Sequence, residues 1–262
     1  MDQAAYPGTQ AVRRAVGVLK AFTVSRPELG LSQVARAAGL NKTTAFRLLS
    51  ALEGEGLVQR VPQGEAYRLG PELVALGGRA LGSADLRFAA RPELSALAQA
   101  TQETATIEVL VGHEALILDE AVGGHVLGAL PSIGTRWPAH ATSTGKVLLA
   151  FLPEEQRQAL LRAPLAKLTA TTLVDPATLR AELRRVRERG YATTVEELEH
   201  GYVAVGAPVW GADGRVVAAM SVGGPTTRLT LERVAEIAGL LSAAAVRISQ
   251  RLGDREDTRR GA

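Results

Sequence analysis

Cysteine is absent from the 262 residues, which excludes disulfides and thiolate metal ligands outright and fits a reducing compartment. Long apolar runs are absent too. No stretch approaches the ~18 residues that suggest a membrane span, because Gly, Arg or Pro interrupts each candidate. Met1 to Thr9 is polar, contains a proline and lacks the apolar core of a secretion signal. These absences predict a cytoplasmic protein with no membrane partner. Charge of one sign is also scarce: 30 Lys and Arg stand against 27 Asp and Glu, a formal net charge of +3. So small an excess says little about nucleic acid, and any such case rests on where the charges lie.

What the chain does have is apolar material. A hydrophobic fraction of 46% and a charged fraction of 22% belong to a folded globular protein. The length allows one large domain or two ordinary ones. The pattern divides it. Residues 10–70 read as helix, helix, turn, helix and hairpin. Residues 71–84 form an apolar-striped connector helix, residues 85–253 alternate helix and strand, and residues 254–262 are a charged tail. The fold class expected is α+β.

In the first block, Val12, Ala15, Val16 and Leu19 recur at helical spacing, with Arg13, Arg14 and Lys20 outside the stripe. Ser25-Arg26-Pro27 is expected to end that helix. Ser32 reads as the N-cap of a helix over Gln33 to Ala38, and Asn41 as the N-cap of one from Lys42 to about Glu53. Counting from Leu31, small Ala35 falls where the two helices of a helix-turn-helix touch. Gly39 falls at their sharp turn, and Ala45 and Leu48 fall where the second packs back. Four matches in register with two caps separate this pattern from an ordinary helical hairpin. Leu57 to Arg60 and Ala66 to Leu69 then read as two strands joined by Val61-Pro62-Gln63-Gly64-Glu65, the wing.

This arrangement predicts a double-stranded DNA operator as partner. On the third helix Ala45, Leu48, Leu49 and Leu52 face inward, while Thr43, Arg47 and Ser50 point the other way, flanked by Lys42 and Thr44. Small hydroxyls allow close approach to a major groove, and Arg47 can reach a guanine edge or a phosphate. The helix N-terminus near Asn41 favours a phosphate oxygen. Ser32 and Gln33 of the preceding helix, with Arg60 and Arg68 of the wing, complete the candidate contact set. The plain alternative for Lys42 and Arg47 is a solvated helix face, which the helix-turn-helix setting makes the lesser reading. Phe46 fits a core edge, a dimer contact or a thymine-methyl contact.

Beyond Asp85 the strand candidates are Ala105 to Val111, Ala115 to Asp119, Val126 to Leu130, Tyr191 to Val195, Val203 to Val209 and Val216 to Val222. Helices are expected over Leu86 to Ala100 (with a break or fresh start near Pro92), Ser143 to Phe151, Glu154 to Leu161, Leu179 to Arg189 and Leu231 to Leu252. No catalytic motif is present. Gly145-Lys146 fails as a phosphate loop, since His140 and Val147 stand where it needs Gly and Ser or Thr. No nucleophile elbow, dinucleotide fingerprint or zincin motif occurs. His113, His125, His140 and His200 lack metal-ligand spacing. The expectation is no enzyme, no cofactor and no metal.

The segments Leu31-Ser32-Gln33-Val34-Ala35, Gly39-Leu40-Asn41-Lys42-Thr43-Thr44, Arg47-Leu48-Leu49, Glu55-Gly56-Leu57-Val58 and Tyr67-Arg68-Leu69-Gly70 resemble the DNA-binding domain of IclR-type transcription regulators. The likeness continues through His140-Ala141-Thr142-Ser143-Thr144-Gly145-Lys146, Gly190-Tyr191, Glu196-Glu197, Gly201, Ala207-Pro208-Val209 and Ser221-Val222-Gly223-Gly224-Pro225, and so covers nearly the whole chain. It implies a GAF-like effector domain that binds a small organic acid, aromatic ones included, and a homo-oligomer, dimer or tetramer. Backbone N–H groups opening the Ser143 helix, with the hydroxyls of Ser143, Thr144 and Ser221, offer donors for an acid. Ser143 as a simple N-cap and Ser221 as a satisfied strand residue remain the plain alternative. Members that take small oxo-acids carry an Asp, a Cys and a second Ser about the ligand, and the matching positions here are Thr194, Ala204 and Gly223. That departure points away from glyoxylate or pyruvate and toward a larger or aromatic ligand. Trp137, just before the motif, can cover a ring or serve as a core or interface residue. Two functions fit: a ligand-responsive regulator, or a constitutive DNA-binding regulator with no effector.

Overall fold

The computed structural model describes residues 9–23, 25–62, 64–80, 84–124 and 133–254. The strand expected over Val126 to Leu130, the loop residue Gln63 and the tail beyond Asp254 lie outside them. The chain divides into two compact units, Met1–Ala84 and Asp85–Ala262.

The first unit begins with α1 (Thr9–Lys20), β1 (Glu28–Gly30), α2 (Leu31–Ala37) and α3 (Lys42–Gly54). It continues with β2 (Val58–Arg60), β3 (Ala66–Leu69) and α4 (Glu72–Ala80). Its core joins Val18 and Phe22 to Leu29, Val34, Leu49, Leu52, Val58 and Tyr67, with Ala15 and Leu19 packed against it. The inward stripe of α1 is thus Ala15, Val18 and Leu19, with Phe22 joining the core just past its end, whereas Val12 and Val16 are exposed. The two stripes share Ala15 and Leu19, so helical spacing alone does not choose between them. The helix also stops at Lys20, before the Ser-Arg-Pro segment expected to end it.

Helix α2 starts earlier than its sequence suggests. Gly30 is the N-cap, and the Gln33 side chain accepts a hydrogen bond from the Gly30 amide at 2.8 Å. Ser32 is therefore inside the first turn and is no cap. Asn41 does cap α3, its side-chain oxygen accepting from the Thr44 amide at 2.8 Å. Gly39 turns between the helices at φ +64°. Strand β1, three residues long, directly after Pro27 and too short for visible alternation, pairs with β3. The wing is therefore a three-stranded antiparallel sheet in the order β1-β3-β2.

The second unit opens with α5 (Ala84–Thr101), β4 (Thr104–Val111), β5 (Glu114–Ala121), β6 (Arg136–Pro138), α6 (Ser143–Phe151) and α7 (Glu154–Leu160). It ends with α8 (Pro176–Arg189), β7 (Ala192–Val195), β8 (Tyr202–Trp210), β9 (Val216–Pro225) and α9 (Leu231–Arg251). The strands form one six-stranded sheet, β6-β5-β4-β9-β8-β7, antiparallel at every step. Helix α5 runs through Pro92 without a break. Interior proline costs ~3 kcal/mol, but Leu86, Ala89, Ala90, Leu94, Leu97 and Ala98 form one continuous buried stripe that outweighs it. Glu93, beside the proline, accepts from Arg247 at 2.8 Å and Arg251 at 2.7 Å, tying α5 to α9.

Candidate nucleic-acid interface and effector site

Lys42, Thr43, Arg47 and Ser50 are exposed on α3, and Thr44 is half-buried beside them. Ser32 and Gln33 are exposed at the start of α2. Neither first turn contains an acidic residue, so the partial positive charge of the 13-residue α3 is not offset locally. Among the described residues neither Lys42 nor Arg47 has an acidic partner. The wing arginines are differently placed. Arg60 pairs with Tyr67 across β2 and β3, its guanidinium 5.2 Å from the ring centroid, and its Nε lies 3.5 Å from Glu53. Arg68, one position on, therefore projects from the opposite face of the sheet, in a row with Glu28 and Gln59. The two cannot contact the same phosphate through the same face.

In the second unit, register settles which candidates meet. Thr194 is opposite Ala204, Ala204 opposite Gly223, and Gly223 opposite Thr104. The row two residues along holds Gly206, Ser221 and Thr106. Side chains alternate along a strand, so these two rows share one face, and α6 lies on it. A Cβ at Gly206 would stand 2.8 Å from the Ser143 carbonyl carbon and 3.0 Å from the Thr144 amide. Only glycine admits the helix start this close. Ser143, Thr144, Thr194, Ala204, Ser221 and Gly223 are thereby brought together, all six buried. A Cβ at Gly223 would strike the hydroxyl of Tyr202. Trp137 is elsewhere. It stands in the row Trp137, Ala115, Leu110, at the β6 edge. Leu110 is six positions along β4 from Thr104, about 20 Å at ~3.3 Å per residue.

Cap and chemistry at α6 also differ from the simplest sequence reading. Thr142 is the N-cap, accepting from the Gly145 amide at 3.1 Å, so Ser143 is not needed for that role. Two residues not singled out from the sequence complete the cluster. Glu108, on β4, is 5% exposed. Its Oε2 accepts from the Thr144 hydroxyl at 2.6 Å and its Oε1 from Thr106 at 2.8 Å. Thr106 in turn shares a hydrogen bond of 2.8 Å with Ser221. Burial pushes the Glu108 carboxyl above its ordinary range, against the lowering effect of these hydroxyls. A lone charged residue between Ile107 and Val109, in a strand apolar on both sides, was the signal available in the sequence. Burial, with the negative charges of Glu108, Glu103 and Glu199, pushes the Tyr202 phenol upward, so it stays protonated.

Behind this cluster, Lys146 of α6 is buried against Glu197 in an ion pair. Burial lowers the lysine and raises the glutamate, opposed in each case by the partner's charge. A cavity of about 540 Å³ opens elsewhere on the unit, between Leu110, Leu148, Phe151, Leu160 and Val216. None of the six clustered candidates lines it. Among the described residues no group of three or more His, Asp or Glu is arranged to hold a metal ion. No described helix is long and apolar enough to cross a membrane.

Comparison with known proteins places these features. The IclR helix-turn-helix domain profile matches residues 11–62, and that of the bacterial transcriptional regulator IclR C-terminal region matches residues 78–250. The chain is 35% identical to the HTH-type transcriptional regulator XynR of Escherichia coli over 94% of its own length and 98% of the relative's. It is 32% identical to the transcriptional repressor IclR of the same organism, over 93% and 90%. An IclR homologue from Microbacterium hydrocarbonoxydans, solved in complex with 4-hydroxybenzoate, superposes with a TM-score of 0.84 at 30% identity, covering 92% of this chain and 98% of that one. With a helix-turn-helix in one unit, a six-stranded sheet in the other and both family profiles matched in order, the chain belongs to the IclR family of DNA-binding transcription regulators.

Proposed function

We propose that this regulator is ligand-responsive: the first unit reads an operator through α3, and the second binds a small organic acid, aromatic acids included, that alters operator affinity. The observation that carries the ligand half is the convergence of Ser143, Thr144, Thr194, Ala204, Ser221 and Gly223 on one sheet face beneath the start of α6. Support for the ligand class comes from the relative bound to 4-hydroxybenzoate, and from the apolar Ala204 and Gly223 beside the hydroxyls. In the DNA half, Lys42, Thr43 and Arg47 contact the major groove, with Ser32, Gln33, Asn41 and Thr44 as phosphate-side contacts. Arg68 reaches backbone from the wing, and Arg60 acts chiefly as a strut on Tyr67. The protein works in the cytoplasm as a homo-oligomer. Val12, Val16, Val74 and Leu76 are exposed in the first unit and supply an apolar seam for a second copy. Two half-sites read by two copies fit a helix-turn-helix.

The test is binding of the full chain to its own upstream DNA, with and without a panel containing benzoate, its 2-, 3- and 4-hydroxy derivatives and short aliphatic acids. A panel acid that changes specific operator affinity supports the reading. Specific binding indifferent to every acid, joined to no acid binding by calorimetry, favours a constitutive regulator.

A further inference from the structure

Four arginines of the second unit converge on one hollow. A cleft of about 140 Å³ between α7 and α8 is lined by Arg157, Arg180, Arg184 and Arg187, with Leu183 and a single acid, Glu154. Along α8, Arg180, Arg184 and Arg187 stand at i, i+4 and i+7 and so share a face. Elsewhere on the same helix the charges are balanced: Arg185 and Arg189 both reach Glu182, at 3.5 and 2.8 Å. Among the described residues, the other acids of the two helices, Glu155 and Glu188, pair with none of the four. Part of the cluster has a structural task. Arg157 and Arg187 both donate to the carbonyls of Ala150 and Leu152 at the end of α6, and Arg157 also pairs with Glu154. That leaves two guanidiniums unexplained. Arg180 and Arg184 are exposed and have no hydrogen bond or ion pair among the described residues. Asp175, whose charge Arg180 feels, is spent on capping α8 through the amide and hydroxyl of Thr178, at 2.8 and 2.7 Å. Like charges held this close repel. Burial, then the charges of Arg187 and Arg184, push the Arg157 guanidinium down, although it stays charged.

We propose that the cleft between α7 and α8 binds the phosphoryl group of a small phosphorylated compound, held by Arg180 and Arg184 and by the Nη1 group that the carbonyl bonds of Arg187 leave over. The site shares no residue with the cluster at the start of α6, so it does not depend on the organic-acid reading. A carboxylate brings one charge. A phosphoryl group brings nearly two, with three strong acceptor oxygens, and guanidinium forks match those oxygens in pairs. The concave shape favours a free compound over nucleic acid, because a terminal phosphoryl group can enter a small cleft whereas a backbone phosphate carries a sugar on either side.

Calorimetry of the full chain with inorganic phosphate and pyrophosphate, at fixed ionic strength in chloride, tests this. The wild type should bind at least one of the two, and Arg180→Ala joined to Arg184→Ala should weaken that binding about tenfold or more. Both side chains are exposed, so the double variant keeps the fold. A control, Arg185→Ala joined to Arg215→Ala, removes the same charge from two exposed positions elsewhere on the unit and should bind as the wild type does. An equal loss in the control would reduce the effect to diffuse charge and overturn the proposal. Undiminished binding by the Arg180 and Arg184 double variant overturns it too, as does no binding of either probe by the wild type. If neither probe binds and the same double variant loses operator affinity, the cluster serves the DNA backbone and the free ligand is refuted.

Discussion

A titratable group and a recognition group show how single residues carry this protein's chemistry. The raised Glu108 carboxyl holds its proton more tightly when folded than when unfolded. Its contribution to stability is therefore present below the unfolded value, ~4.3 for Glu, and is lost as pH rises through the higher folded value. Glu108→Gln does not titrate. The melting temperature of that variant minus that of the wild type should be small near or below about pH 4 and grow as pH rises above it; a flat difference would remove the burial penalty inferred here. Arg47 offers the matching test on DNA. Exposed and without an acidic partner among the described residues, it should cost about 1–3 kcal/mol at the operator when replaced by alanine, and far less on random DNA. Equal losses in a titration on both would make it a phosphate clamp.

At the scale of elements, the close approach of α6 to β8 is the constraint with most consequence. Gly206→Val places methyl groups where the backbone of Ser143 and Thr144 already stands. The helix start must lift or the strand must bend, at a cost of about 1–3 kcal/mol. Chemical denaturation should register that loss, and the same variant should bind the benzoate panel more weakly. Element types were largely legible from the sequence, since long strands and amphipathic helices announce their period. Ser143–Phe151 and Ala66–Leu69 were readable to the residue. What was not legible depends on partners distant in sequence. Strand β1 exists because β3 pairs with it. The buried side of α1 is decided by Leu29, Val34 and Leu49. Pro92 remains helical because α5 packs along its length. Six of the seven effector candidates meet on one face, but the register that sets Trp137 apart and the hydroxyl chain through Glu108 need the sheet order, which local pattern does not contain.

On the scale of the whole molecule, the net charge of +3 conceals a division. Residues 1–84 carry ten Lys or Arg against six Asp or Glu, and residues 85–262 carry twenty against twenty-one. The excess sits entirely in the unit that meets phosphate. Operator affinity should therefore fall steeply with salt, with a log–log slope of about −4 or steeper for two copies on one site, as fluorescence anisotropy can measure. Light scattering should return at least twice the chain mass; a monomer bound to an intact operator would refute the apolar seam at Val12, Val16, Val74 and Leu76. One feature of the sheet also bears on the order in which these units come into being. Strand β4, near the start of the second unit, has β9 as its neighbour on one side, so the sheet cannot close until more than a hundred further residues exist. The core of the first unit is built from residues 15–67 alone, and domains fold as units from the N-terminus during synthesis. A nascent chain thus acquires the means to hold DNA before it acquires the means to sense a metabolite, and a message cut short before β9 would encode a grip without its control.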